Sequence, residues 1–123
     1  MNTSLLEASY NNKIKKFIFI SSNTVYPVSK KPMYENDTNY KFFDKYFIVG
    51  WMKMFSEVMC QMYSKKIKNP MQTIIVRPGN LYGPFDKFDP EKSKVIPATI
   101  RKIIENKKEI KVWGDGKDLK DFL

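Results

Sequence analysis

A short uninterrupted apolar run, Phe17-Ile18-Phe19-Ile20, and a second strand of buried type, Thr73-Ile74-Ile75-Val76, flank a stretch with helical periodicity, and that order leaves few folds open. Each run has strand length and no polar alternation, the pattern of a strand covered on both faces of a parallel sheet. Between them, Ile48, Trp51, Met52, Phe55, Val58, Met59 and Met62 recur at the spacing of one amphipathic helix face, from about 43 to 66. Asn69-Pro70 stops that helix. Strand, helix, strand in this order implies a βαβ unit, so the expected fold class is α/β.

The flanks extend the pattern. Residues 3–10 can close a helix on Leu5, Leu6 and Ala8, and Pro27, Pro32, Asn36-Asp37 and Thr38-Asn39 mark a loop crossing. A long Gly-, Pro- and Asp-containing loop covers about 81–94. A further helix then has Pro97 in its first turn, where a missing N–H does no harm, and an apolar side of Ile96, Ile100, Ile103 and Ile104. Glu109-Ile110-Lys111-Val112-Trp113 alternates like a half-exposed strand, with Gly114-Asp115-Gly116 as its turn. Ligands of parallel sheets bind at the carboxyl ends of strands, here Ser21–Thr24 and Pro78–Leu81.

A chain of 123 residues allows one domain with a modest core. Histidine is absent, which removes the commonest general base and metal ligand. Cys60 is the sole cysteine, so an internal disulfide is excluded. No run is long and apolar enough for a membrane span, and the first residues lack a basic start and apolar core, so the cytoplasm is the expected location. The net charge of +9 invites an anionic partner, but only Arg77 and Arg101 are arginine, and the lysines are scattered singly or in pairs. That dispersion reads as a solvated surface and argues against nucleic acid.

Five ordered segments carry a resemblance. They are Phe17 through Pro27; Gly50-Trp51-Met52-Lys53 with Glu57; Arg77 through Pro84; Ser93 through Ala98; and Trp113-Gly114-Asp115-Gly116 through Lys120-Asp121-Phe122-Leu123. Together they resemble the extended short-chain dehydrogenase/reductase superfamily of NAD-dependent epimerases and dehydratases, most nearly its GDP-L-fucose synthase branch. The resemblance implies that residues 1–123 form a partial NAD(P)-binding domain. It would be the C-terminal half of a Rossmann-like parallel sheet plus the start of the substrate domain, without the first βαβ half and its Gly-rich loop.

The resemblance also implies roles. Ser22 would hydrogen-bond the substrate oxygen, and Lys53 would bind the nicotinamide ribose of NAD or NADP. Backbone at Ile20, Ser21, Ser22, Asn23, Pro78, Gly79, Asn80 and Leu81 would line the nicotinamide. Thr24, Lys94, Val95, Thr99, Lys102, Trp113 and Lys120 fall where the family holds a nucleoside-diphosphate sugar. A homodimer or a complementing chain would complete the protein, with no metal.

The chain departs from that pattern where chemistry is done. Val49 stands in place of the proton-transferring tyrosine, and a valine has no proton to give. Tyr46, one turn earlier, is the candidate to replace it. Thr24 and Lys94 occupy the places of the epimerisation cysteine and histidine, and neither is a base near neutral pH, which argues against double epimerisation. Lys102 and Lys120 replace arginines, keeping charge for a diphosphate but losing the two-pronged geometry. Two alternatives stay open: a remnant that keeps the fingerprint without turnover, and a basic module that binds RNA or an acidic surface.

Overall fold

The sheet at the centre of the chain has two parallel strands, β1 (Lys16–Ile20) and β2 (Gln72–Val76), with Ile18 opposite Ile74 and Ile20 opposite Val76. The computed structural model describes residues 2–89, 91–105, 109–111, 114–117 and 120–123. Helix α1 (Asn2–Asn11) precedes β1, helix α2 (Phe47–Lys65) joins the strands, and helix α3 (Val95–Glu105) follows. Short 3-10 turns form at Asn23–Val25 and Asp44–Tyr46. The expected βαβ order is therefore present, with α2 beginning at Phe47 because the residues from about 43 are taken by the second of these turns.

The chain divides into two compact units, residues 1–78 and 79–123. In the first, Leu6 of α1, Phe19 of β1, Cys60 of α2 and Met71 form one buried cluster, with Phe17, Met59, Tyr63 and Ile75 packed around it. Val25, Phe42 and Met54 form a second, against which Tyr26 packs. Where α2 ends, Lys66 N–H still reaches the Met62 carbonyl, and Asn69 adopts a left-handed φ of 58° before Pro70. That reversal returns the chain at once into β2, where the Thr73 hydroxyl donates to the Cys60 carbonyl at 3.0 Å.

Two expectations are corrected here. The strands are covered on one face only: Phe19 is buried, while Ile18 is 61% exposed and Ile20, Ile74 and Val76 are also open. Both helices that pack on the sheet lie on the Phe17–Phe19 side, and alternation along a strand sends the remaining apolar side chains the other way. The apolar stripe of α2 is likewise not its buried face. Ile48 and Met52 are 71% and 66% exposed, whereas Gly50, Met54, Ser56, Glu57 and Cys60 are buried. Gly50 explains part of this: an ideal Cβ there would lie 2.7 Å from Phe42 Cγ and 3.0 Å from the Thr24 carbonyl oxygen, so the helix comes close to its neighbours at that residue.

In the second unit α3 begins at Val95 and buries Pro97 in its first turn, as the missing N–H allows. Its Ile100, Ile103 and Ile104 are exposed. The strand expected over 109–113 is not formed at Glu109–Lys111, whose backbone is in no ladder; Val112 and Trp113 lie outside the described residues. The turn at 114–116 is present, with left-handed φ of 84° at Gly114 and 74° at Gly116. Asn80 and Phe122 form a parallel bridge within this unit.

Candidate functional site

The carboxyl end of β1 is gripped by two side chains one turn apart on α2. Lys53 donates from Nζ to the Ile20 carbonyl at 2.8 Å, and its ammonium stands 5.3 Å from the centre of the Phe19 ring. One turn on, the Glu57 carboxylate accepts from the buried Ser21 hydroxyl at 2.5 Å. Lys53 is therefore directed at the strand end that leads into Ser22, not into bulk water.

Beyond Ser21 the chain turns tightly. Ser22 is extended and caps the 3-10 turn, its Oγ accepting from Thr24 N–H at 3.2 Å. Asn23 N–H donates to the Pro78 carbonyl at 3.1 Å, which ties the end of β1 to the end of β2. The Thr24 hydroxyl oxygen is buried, with no hydrogen-bond partner. A buried polar atom of this kind is a costly feature unless something outside the chain meets it.

Glu57 is fully buried and is the single acidic residue of α2. It forms a two-pronged pair with Arg77, Nε to Oε1 at 3.0 Å and Nη2 to Oε2 at 2.6 Å. Arg77 Nη1 also donates to Tyr26 Oη at 2.9 Å and to the Glu35 carbonyl at 2.7 Å, and the guanidinium lies over the Tyr26 ring. Hydrogen bonding to Glu57 raises the Arg77 pKa above its ordinary value, so its charge is permanent. Burial, with the Glu57 carboxylate adding to it, pushes the Cys60 thiol up to about 11, so it is neutral and unreactive near pH 7. Sequence reasoning assigned neither Glu57 nor Arg77 a role. The signal was available: a lone carboxylate in an apolar helix, and one of two arginines in the chain.

The remaining expected residues have these local settings. Val49 is half-exposed, and Tyr46 caps the start of α2 with its ring edge-on to Phe43 at 5.8 Å. Within the second unit, Asn80 binds the Asp121 carbonyl through both its backbone and its side-chain N–H, and Gly79 and Leu81 flank it. Val95, Thr99 and Lys102 share one stripe of α3; the Thr99 hydroxyl donates to the Val95 carbonyl, and Lys102 Nζ reaches the Lys111 carbonyl at 3.0 Å. Lys94 and Lys120 are exposed, and Trp113 is outside the described residues. An open cavity of about 560 Å³ lies elsewhere in the first unit, lined among others by Pro27, Met33, Asn39 and Phe42. Among the described residues no group of His, Cys, Asp and Glu could hold a metal, and no helix is long and apolar enough to cross a membrane.

The family model for the NAD dependent epimerase/dehydratase family matches residues 1–123. The chain belongs to that family. It is 30% identical to the GDP-L-fucose synthase of Escherichia coli (strain K12), covering 100% of this chain and 40% of that protein. The crystal structure of a GDP-L-fucose synthetase from Naegleria fowleri bound to NADP superposes with a TM-score of 0.83 at 27% identity, over 100% of this chain and 42% of that one. A UDP-N-acetylglucosamine 4-epimerase from Methanobrevibacter ruminantium M1, in complex with UDP-N-acetylmuramic acid, gives 0.81 at 26% identity, over 99% and 37%. The chain thus spans about 40% of the length of the relatives it matches. Its α/β architecture and parallel strands agree with the Rossmann-like expectation.

Proposed function

We propose that the first unit carries the nicotinamide-side part of an NAD(P) site, in a family member that acts on a nucleoside-diphosphate sugar. The observation that supports this most directly is Lys53, anchored on the Ile20 carbonyl at the strand end that runs into Ser22. In this reading the Lys53 ammonium meets the nicotinamide ribose, moving from a carbonyl partner to ribose hydroxyls at little cost in hydrogen bonding. Ser22 orients the sugar oxygen. The unpartnered Thr24 hydroxyl is a fitting contact for the same sugar. The cofactor, when bound, supplies or accepts hydride at a sugar carbon. In the second unit, taken by itself, the family resemblance assigns Val95, Thr99, Lys102 and Lys120 to nucleotide-sugar contacts, with lysine charge for a diphosphate.

Proton transfer is the step for which this chain has least provision. Hydride transfer to a ketone leaves an alkoxide that needs a proton, which Val49 cannot give, and Thr24 stands where double epimerisation needs a base, so the chain is provided for cofactor and sugar binding more than for either proton step. Tyr46 is the available phenol, with its ring on Phe43 and half open to solvent. A second reading, retention of cofactor contact without turnover, is favoured by Val49 itself.

Titration of the purified chain with NADPH and NADH, followed by reduced-nicotinamide fluorescence, tests the proposal. Saturable binding that weakens about tenfold or more in Lys53→Met is expected. Absence of saturable binding to either nucleotide, up to millimolar concentration, rejects it. Restoration of hydride transfer to a 4-keto sugar nucleotide by Val49→Tyr, where the parent is inactive, favours the second reading for the natural chain.

A further inference from the structure

We infer that Glu57 and Arg77 are positioning residues that set the relative placement of the two strand ends, Ser21–Ser22 after β1 and Arg77–Pro78 after β2; their relevance to a cofactor rests on the reading of Lys53 and Ser22 above. Burying a carboxylate and a guanidinium together is a poor way to gain stability, because their desolvation offsets most of the attraction and an apolar pair of similar volume often does as well. What an apolar pair cannot do is hold directions. The buried Glu57 carboxylate takes the Ser21 hydroxyl from the end of β1 and both prongs of Arg77 from the end of β2. Arg77 extends the same network to the Tyr26 hydroxyl and the Glu35 carbonyl in the loop beyond β1.

The residues next along the chain are the ones that matter for a ligand. Ser21 precedes Ser22, and Arg77 precedes Pro78, whose carbonyl accepts from Asn23 N–H at 3.1 Å. Glu57 also lies one turn beyond Lys53 on α2, so two successive rungs of one helix face hold successive residues of the strand end, Ile20 and Ser21. The distance between the Lys53 ammonium and the Ser22 hydroxyl is therefore set by the Glu57–Arg77 pair rather than by the sheet ladder alone.

The deciding experiment replaces the pair by an apolar one, Glu57→Met with Arg77→Met, and measures melting temperature and residue-resolved amide exchange. A melting temperature within about 3 °C of the parent is expected, together with exchange about tenfold faster at Asn23 and Thr24 while the β1–β2 amides keep their protection. Parent-like exchange at Asn23 and Thr24 in a stably folded double variant would overturn the inference, since a purely stabilising pair predicts it. If the double variant does not fold, Ser21→Ala serves instead: it severs β1 from Glu57 but leaves the ion pair, and the same two amides should exchange severalfold faster, with unchanged rates overturning the inference. NADPH titration of the parent is read separately. Faster loop exchange in a chain whose parent binds no nucleotide would reject the cofactor reading and leave the positioning role in place.

Discussion

The Lys53 ammonium and the Ile20 carbonyl meet at 2.8 Å, joining α2 to the last residue of β1. The contact fixes a cation beside a strand end in a half-buried setting, with the Phe19 ring beneath it. Val49 lies one turn before Lys53 on the same helix, and its side chain is half open to solvent.

Val49→Tyr should therefore fold normally and place a phenol within reach of the cation. The expected phenol pKa is about one unit below the usual value near 10, because a neighbouring ammonium favours the phenolate. Absorbance at about 295 nm, taken as the difference between Val49→Tyr and Val49→Phe, isolates the new phenol from the other tyrosines. Adding Lys53→Met should return the value to normal. A new phenol that titrates normally with Lys53 intact would show that the cation does not reach position 49.

At Gly50, α2 leaves no room for a side chain. A methyl group there meets Phe42 Cγ at 2.7 Å and the Thr24 carbonyl oxygen at 3.0 Å. The ring can shift, but the carbonyl belongs to the capped 3-10 turn and moves only with it. Gly50→Ala is expected to cost about 1–3 kcal/mol by overpacking, despite the better helix propensity of alanine. Chemical denaturation measures it. A variant as stable as the parent would mean that α2 slides freely along the turn.

Cys60 gives a pH signature with a definite sign. Its thiol pKa is raised from 9.0 to about 11 in the folded chain by burial, with the Glu57 charge second. The folded state thus holds its proton more tightly than the unfolded state, and the linked stability is complete below about pH 9 and lost as pH rises toward about 11. The informative quantity is the pH slope of the parent minus that of Cys60→Ala, which removes every contribution the two share. A steeper fall in the parent is expected between those values, along with thiol labelling at pH 8 that proceeds only as fast as the chain opens. Identical slopes would place the thiol in contact with water.

The order of elements was legible because it depends on local signals: apolar runs of strand length, Asn69-Pro70, and Pro97 at a helix start. The burial of those elements was not. A run such as Phe17-Ile18-Phe19-Ile20 has the same composition whether one face or both are covered, and only the placement of α1 and α2 decides between them. The α2 face failed for a related reason. Periodicity marks where large apolar residues fall, but a helix packs closely where its side chains are small, at Gly50, or where a buried charge is fully matched, as Glu57 is by Arg77 and Ser21. Of the geometry, the approach of Lys53 to the strand end at Ile20 was readable from motif order. The Glu57–Arg77 pair needed three-dimensional proximity across β1, α2 and β2.

The open face of the sheet has a consequence in solution. Ile18, Ile20, Ile74 and Val76 are all at least 40% exposed, and Ile18 faces Ile74 directly across the ladder. Adjacent exposed apolar side chains on a strand pair favour association with other apolar surfaces. Two lysines at the facing positions would repel, so the informative variant is Ile18→Lys with Ile74→Glu, which sets opposite charges across one rung. Light scattering of the parent should rise with concentration, and that of the variant should stay near the monomer value. Its melting temperature should hold within about 3 °C, because neither side chain belongs to the buried clusters. Phe19→Lys, on the covered side of β1, should instead abolish cooperative unfolding. Equal association of parent and charged variant would move the source of self-association to another surface, such as the exposed Ile48–Met52–Phe55 stripe of α2.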